Sequence, residues 1–325
     1  MPMSTPSQLD SPSTVAQPGV SALRIGVAGR LFVAFAVVLV AIYALPLYRL
    51  LRYSLENSLW SHVFLIPGIS LYLVWLKRQD TPPGKSAFSP YAAIPLLLGI
   101  GVTAALAVKS GSSGLAVADY LSLTTLSFVL FLIAGAAWAL GPARTRALAF
   151  PLAFLIFMVP FPTFLTHAIE VSSQHASADA ASLMLSVSQT PVLRDGLFFK
   201  LPGITIEVAQ ECSGIRSTLV LFITSLVGSY LFFRSNTHRA LLTLAVIPIA
   251  IIRNGFRIFT IAMLCVHVSP DMIRSWIHKR GGPVFFVLSL IPLFALLLFL
   301  YRRERRSQKT SAGAQAAASE VSGHS

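Results

Sequence analysis

An all-α polytopic membrane protein is the fold class this chain predicts, and three properties carry the prediction. Hydrophobic residues make up 55% of the 325 residues, charged residues only 11%, and the mean hydropathy is +0.73. Apolar runs of roughly 18 residues or more, enough to cross about 30 Å of hydrocarbon, recur along the chain. Short polar joints separate them. A soluble fold has no interior large enough to hide that much apolar surface.

About eight spans meet the length criterion. They cover residues 31–48, 59–76, 91–108, 120–140, 148–165, 214–233, 241–266 and 284–301. Residues 1–30 are rich in Ser, Pro and Gly and read as a disordered tail; the polar lead is too long, and the small-residue cleavage pattern too poor, for a cleaved signal peptide. Residues 303–325 form a second polar tail, so the membrane domain is 31–302.

Lys and Arg set the orientation, because cytoplasmic joints carry their excess. With the N-terminus inside, the larger share falls on the cytoplasmic side, including Lys77, Arg78, Arg144, Arg146, Arg234, Arg239 and the cluster Arg302, Arg303, Arg305 and Arg306. Both termini are then cytoplasmic. The net charge of +13 reads as a topology signal and an attraction to anionic lipid heads. It forms no single patch of the kind that binds nucleic acid.

Under this topology the long external segment is 166–210. Its first part, 165–187, repeats Ile169, Ala176, Ala180, Leu183, Met184 and Val187 at helical spacing beside polar residues, which predicts a small external amphipathic helix along the membrane surface. That helix either packs on the bundle or lines a groove. Next, Leu197 to Leu201, the turn dipeptide Pro202-Gly203 and the alternation Ile204 to Val208 predict a β-hairpin. The hairpin feeds directly into Gln210-Glu211-Cys212-Ser213-Gly214-Ile215-Arg216.

Cys212 falls where an extended strand meets the start of the sixth span, so the unpaired N–H groups and positive dipole end of a helix face its sulfur. Such a place favours the thiolate, the reactive form. Gly214 permits close approach of a substrate, and the same N–H groups suit an oxyanion. The alternative is a structural cysteine, buried or joined to Cys265 near the same face.

Arg253-Asn254-Gly255-Phe256-Arg257 lies inside the seventh span, where a guanidinium is costly. Counting 1.5 Å per residue from Leu241 puts Arg257 about 24 Å up a core of roughly 30 Å, level with Cys212, and Arg253 at about 18 Å. Either arginine could instead satisfy helix carbonyls or snorkel; Asn254, one turn from Arg257, is placed to orient it. In the joint before the last span, Trp276-Ile277-His278-Lys279-Arg280 holds an imidazole able to pass a proton near neutral pH. His267 is its rival on that face. His62, His167 and His175 also fall there, whereas His238 is cytoplasmic.

The topology thus brings Cys212, Arg257 and His278 to one membrane face. A thiolate, a cation and a proton-transferring imidazole are the parts that acyl transfer through a thioester requires. No cofactor or metal is needed for it. Ser213, Gly214, Arg216, Arg253 and Asn254 are the supporting candidates.

On these residues the chain resembles the exosortase and archaeosortase membrane enzymes. The resemblance runs from Ser61 to Gly282 and takes in Ser61-His62-Val63-Phe64-Leu65 leading to Trp75, and Phe150-Pro151-Leu152 leading to Pro160-Phe161-Pro162. Cys212-Ser213-Gly214-Ile215-Arg216-Ser217, Asn254 with Arg257 three residues later, and His278 followed by Gly282 complete it. Glu211 departs from the family, where a small residue is common before the Cys. The resemblance implies a cysteine endopeptidase or transpeptidase of the cytoplasmic (inner) membrane with Cys212 as nucleophile and Arg257 and His278 as its partners. Its active site would lie on the outer face. Its substrates would be exported proteins whose C-terminal sorting signal has a Pro-Glu-Pro-type motif, a transmembrane helix and a basic end, often in company with exopolysaccharide assembly. Rival classes are a transporter that binds an anionic group through Arg253 and Arg257, and a scaffold for polysaccharide export.

Overall fold

Long apolar runs have no water to satisfy their backbone, so they close their hydrogen bonds internally as helices. The computed structural model, which describes residues 26–78, 90–112, 114–209, 213–274 and 281–322, is an assembly of such helices with one small sheet. The helices are α1 (Val27–Ile42), α2 (Ala44–Glu56), α3 (Leu65–Leu76, entered by a 3-10 turn at Ser58–Trp60), α4 (Ala93–Ser112), α5 (Val117–Ala147), α6 (Ala149–Phe154, prolonged by a 3-10 turn at Leu155–Met158), α7 (Thr163–Val187), α8 (Ile215–Phe232), α9 (Asn236–Leu244), α10 (Val246–His267) and α11 (Gly282–Ser322). Among the described residues six helical stretches are long and apolar enough to cross a membrane, and eight if each of two bent pairs is one span.

The bent pairs are the first and fifth expected spans. Between α1 and α2 the axis turns by 72°, with Pro46 in the first turn of α2. The Tyr43 hydroxyl at the corner shares a 3.0 Å hydrogen bond with Ser127 Oγ on α5. Between the α6 segment and α7 the turn is 88°. Pro160 and Pro162 lack the N–H that would continue the helix and hold their predecessors extended. Ser122 Oγ on α5 donates to the Pro160 carbonyl. Asp119 then caps α7, accepting from the Thr163 N–H at 2.7 Å and from Thr163 Oγ1 at 2.9 Å.

The helix expected at 165–187 is present as α7, and it packs along α10. Ser177 meets Asn254, Ala180 and Ala181 meet Gly255, and Thr190 just past the helix donates to Met263 Sδ. Ascending numbers pair with ascending numbers, so the two helices run parallel. Small residues make this possible. A Cβ on Gly255 would fall 2.6 Å from Ala180 Cβ and 3.1 Å from the Ala181 backbone nitrogen, a backbone approach of the small-residue kind used between membrane helices.

The expected hairpin is found within a three-stranded antiparallel sheet, β1 (Leu193–Asp195), β2 (Phe198–Leu201) and β3 (Ile204–Glu207), in the order β1-β2-β3. Its alternation is visible in burial: Phe199, Leu201 and Ile206 are inside and Lys200 and Thr205 outside. The inner face joins Ala178, Ala181 and Leu185 of α7 and Ile258, Ile261, Ala262 and Cys265 of α10 in one apolar cluster.

The two ends of the bundle differ in charge. At one, Lys77 and Arg239 both lie over the Tyr230 ring, at 5.3 and 5.4 Å from its centroid, and Glu304 bonds to the start of α9. This is the end to which the Lys/Arg pattern assigns the cytoplasmic joints. Phe150 stacks on Tyr230 at 3.8 Å and Phe157 meets Phe222 at 6.0 Å, so α6 and α8 are antiparallel and α8 begins at the opposite end. There Trp60 packs edge-on against Phe161 at 5.5 Å.

The last helix departs from composition-based expectation. Instead of ending near Tyr301, α11 continues through Arg302–Arg306 to Ser322, into the stretch expected to be an unstructured tail. Arg, Glu, Gln, Lys and Ala dominate this extension, all good helix formers, and they extend a helix already nucleated by the membrane-length part.

Candidate active site

The chain reaches the site from the sheet. Past β3, the Val208 carbonyl accepts a 3.1 Å hydrogen bond from Gln174 Nε2, and both residues are buried. This bond ties the chain just past β3 onto α7. Cys212, with Gln210 and Glu211, lies outside the described residues, as do His278 and the rest of 275–280.

On the far side of Cys212 the structure is explicit. Ser213 is buried, and Gly214 is the N-cap of α8 with φ +69°, a left-handed conformation costly for any residue with a Cβ. Its carbonyl is the acceptor for the first helical bond from the Thr218 N–H at 3.0 Å. It also receives Ser217 Oγ at 3.0 Å, Thr218 Oγ1 at 2.9 Å and Arg253 Nη2 at 3.3 Å. The Ile215 N–H donates to Ser213 Oγ at 3.5 Å, and the N–H groups of Arg216 and Ser217 precede the first intrahelical donor, Thr218, and have no acceptor within the helix.

Arg253 is the group that connects α10 to this turn. Only 7% exposed, it bonds through Nη2 to the Gly214 carbonyl and to Thr218 Oγ1, the latter also at 3.3 Å. Its Nη1 is buried and has no hydrogen-bond partner among the described residues. Arg257 follows one turn later on the same helix and is half-buried. Asn254 is 3% exposed and donates from Nδ2 to Ser177 Oγ at 3.0 Å, which binds α10 to α7 at the level of Gly214.

Of the residues singled out from sequence, Gly214, Arg253 and Asn254 are therefore brought together. Ser213 is buried beside them in sequence, whereas Arg216 is exposed. His267 is exposed at the end of α10, about 15 Å of helical rise beyond Arg257. His167 and His175 are exposed on α7, and His62 is buried near Trp60. Gln174, Ser177 and Thr218 are additions that sequence reasoning did not single out. The available signal is a polar pair one turn apart, Gln174 and Ser177, on the small-residue face of α7. Among the described residues no three His, Cys, Asp or Glu side chains gather as metal ligands would.

A family model described as transmembrane exosortase matches residues 54–295, most of the chain and all of the elements just described from α3 to α10. The chain belongs to that family. Membership makes it a multi-pass membrane sorting enzyme of the peptidase or transpeptidase class that processes exported proteins. No curated protein and no solved structure matches it.

Proposed function

We propose that this exosortase cleaves C-terminal sorting signals through a thioester on Cys212. The observation that carries the reading is the Arg253 guanidinium seated on Gly214, two residues past that cysteine. A buried cation with a donor left over stabilises negative charge at short range, and the start of α8 adds its free N–H groups and dipole. Both act on a thiolate at Cys212 and on the oxyanion it forms.

In this mechanism the substrate helix docks between spans with its Pro-Glu-Pro-type motif above the outer surface of the inner membrane, both enzyme termini lying in the cytoplasm. The Cys212 thiolate attacks the scissile carbonyl and forms a tetrahedral oxyanion. The α8 N–H groups and the arginine pair hold that charge, with Arg253 the nearer member and Arg257 one turn outward. His278 protonates the departing amine as the thioester forms. An acceptor amine, or water, then attacks the thioester and restores the thiol.

Replacing Cys212 by Ala with a candidate sorting-signal protein co-expressed tests the reading by gel shift. Unprocessed substrate is expected with Cys212→Ala at wild-type enzyme levels; normal processing would remove cysteine catalysis. Replacing His278 and His267 separately tests the proton donor in the same assay.

A further inference from the structure

Between the end of α8 and the outgoing part of α11 lies a cleft of about 240 Å³ lined by Leu231, Phe232, Arg234, Tyr301, Arg305 and Gln308, with Glu304 on its inner wall. It is smaller than the roughly 300–1,000 Å³ that encloses a whole small-molecule ligand, and suits a headgroup whose remainder lies outside. Glu304 has both carboxylate oxygens engaged within the protein. One carboxylate oxygen accepts from the N–H groups of Arg234 and Ser235 at 2.8 and 3.1 Å, and the other meets His238 Nδ1 at 2.9 Å.

The cations of the cleft are differently placed. Arg234 and Arg305 are exposed, and neither forms an ion pair among the described residues. The Arg305 guanidinium lies over the Tyr301 ring at 4.8 Å, and Tyr301 meets Phe232 edge-on at 6.1 Å. Leu231 and Phe232 are exposed beside it, and Leu298 and Phe294 continue an exposed apolar stripe down α11 away from the arginines.

We propose that this cleft binds the phosphodiester of an anionic phospholipid between Arg234 and Arg305, with acyl chains along Leu231, Phe232 and Leu298. A cationic mouth above an apolar wall matches the two halves of a lipid. A free phosphate would have no use for the wall. A basic peptide would meet charge of its own sign. The same lipid would hold the end of α8 to α11 at the face opposite Gly214.

The test uses the full chain, delipidated in neutral detergent and titrated with phosphatidylglycerol, phosphatidylcholine or inorganic phosphate, with adducts counted by native mass spectrometry. Phosphatidylglycerol is expected to be retained over phosphatidylcholine. The pair Arg234→Gln with Arg305→Gln should weaken it about tenfold or more. Arg302→Gln with Arg303→Gln removes equal charge from exposed positions of the same helix outside the cleft, and should change binding by less than about twofold. Equal loss from both pairs would reduce the effect to diffuse surface charge and overturn the proposal. Displacement of the lipid by equimolar inorganic phosphate would overturn the lipid assignment. Should the cleft variant not fold, a photoactivatable phosphatidylglycerol added to the unaltered protein must label 231–234 or 301–308, and labelling confined to other segments refutes the site.

Discussion

Gly214 and Asn254 stand so close that no side chain fits between them: a methyl group on Gly214 would lie 3.0 Å from Asn254 Oδ1 and 2.8 Å from Arg253 Nη2. The glycine is thus required twice, once for its left-handed backbone and once for the space it leaves to α10.

Gly214→Ala is accordingly expected to destabilise the protein by about 1–2 kcal/mol from backbone strain alone, more once Arg253 is displaced. Thermal unfolding in detergent should show a lower Tm, and processing of a sorting-signal protein should fall more steeply than the fraction folded. Wild-type values of both would mean that the turn relaxes without disturbing Arg253.

The contact between α7 and α10 yields a second, purely structural expectation. Gly255→Ala places a methyl carbon 2.6 Å from Ala180 Cβ and must push the helices apart, in a range where overpacking costs about 1–3 kcal/mol. Adding Ala180→Gly should recover part of the loss in Tm. Recovery will be incomplete, because the Ala181 nitrogen and Ser177 carbonyl also crowd the new methyl, at 3.1 and 3.2 Å. Strict additivity of the two losses would show that these helices do not touch here.

Much of this fold is legible in hydropathy because membrane length is a physical threshold that an apolar run either meets or fails. The hairpin is legible because Pro202-Gly203 interrupts an alternating pattern. The corners at Tyr43 and at Pro160–Pro162 are harder to read: a hydropathy window sees apolar residues on both sides and cannot register a turn of 72° or 88°. The parallel pairing of α7 with α10 escapes for a similar reason, since Ser177, Ala180 and Gly255 are individually unremarkable small residues. Counting along the seventh span from an assumed surface puts Arg257 level with the start of α8, yet it is Arg253, one turn earlier on the same face of α10, that meets Gly214 and Thr218.

That difference separates the two arginines experimentally. Arg253→Lys keeps the charge but loses the planar guanidinium whose Nη2 meets both Gly214 and Thr218 and whose Nη1 is left over, so processing should fall roughly tenfold or more, equivalent to about 1.4 kcal/mol in the barrier. Arg257→Lys should be milder if Arg257 acts mainly as charge. The measurement is the processing rate of each variant at matched expression. A severe Arg257→Lys with a benign Arg253→Lys would return the leading role to Arg257 and leave Arg253 as a brace for the turn.

His62 offers the last expectation. It is 7% exposed, its Nδ1 is buried with no hydrogen-bond partner among the described residues, and the Trp60 ring lies 6.1 Å away. A buried polar atom left unpaired costs about 1–3 kcal/mol, whereas an apolar group of similar shape in its place is close to neutral or stabilising. His62→Leu should therefore leave Tm unchanged or raise it, even though a backbone contact to Leu59 is lost. A clear drop in Tm would reveal a partner for the imidazole in the folded protein. Lost processing at an unchanged Tm would instead assign the imidazole to the substrate, since Trp60 packs on Phe161 at the end of the bundle where α8 begins.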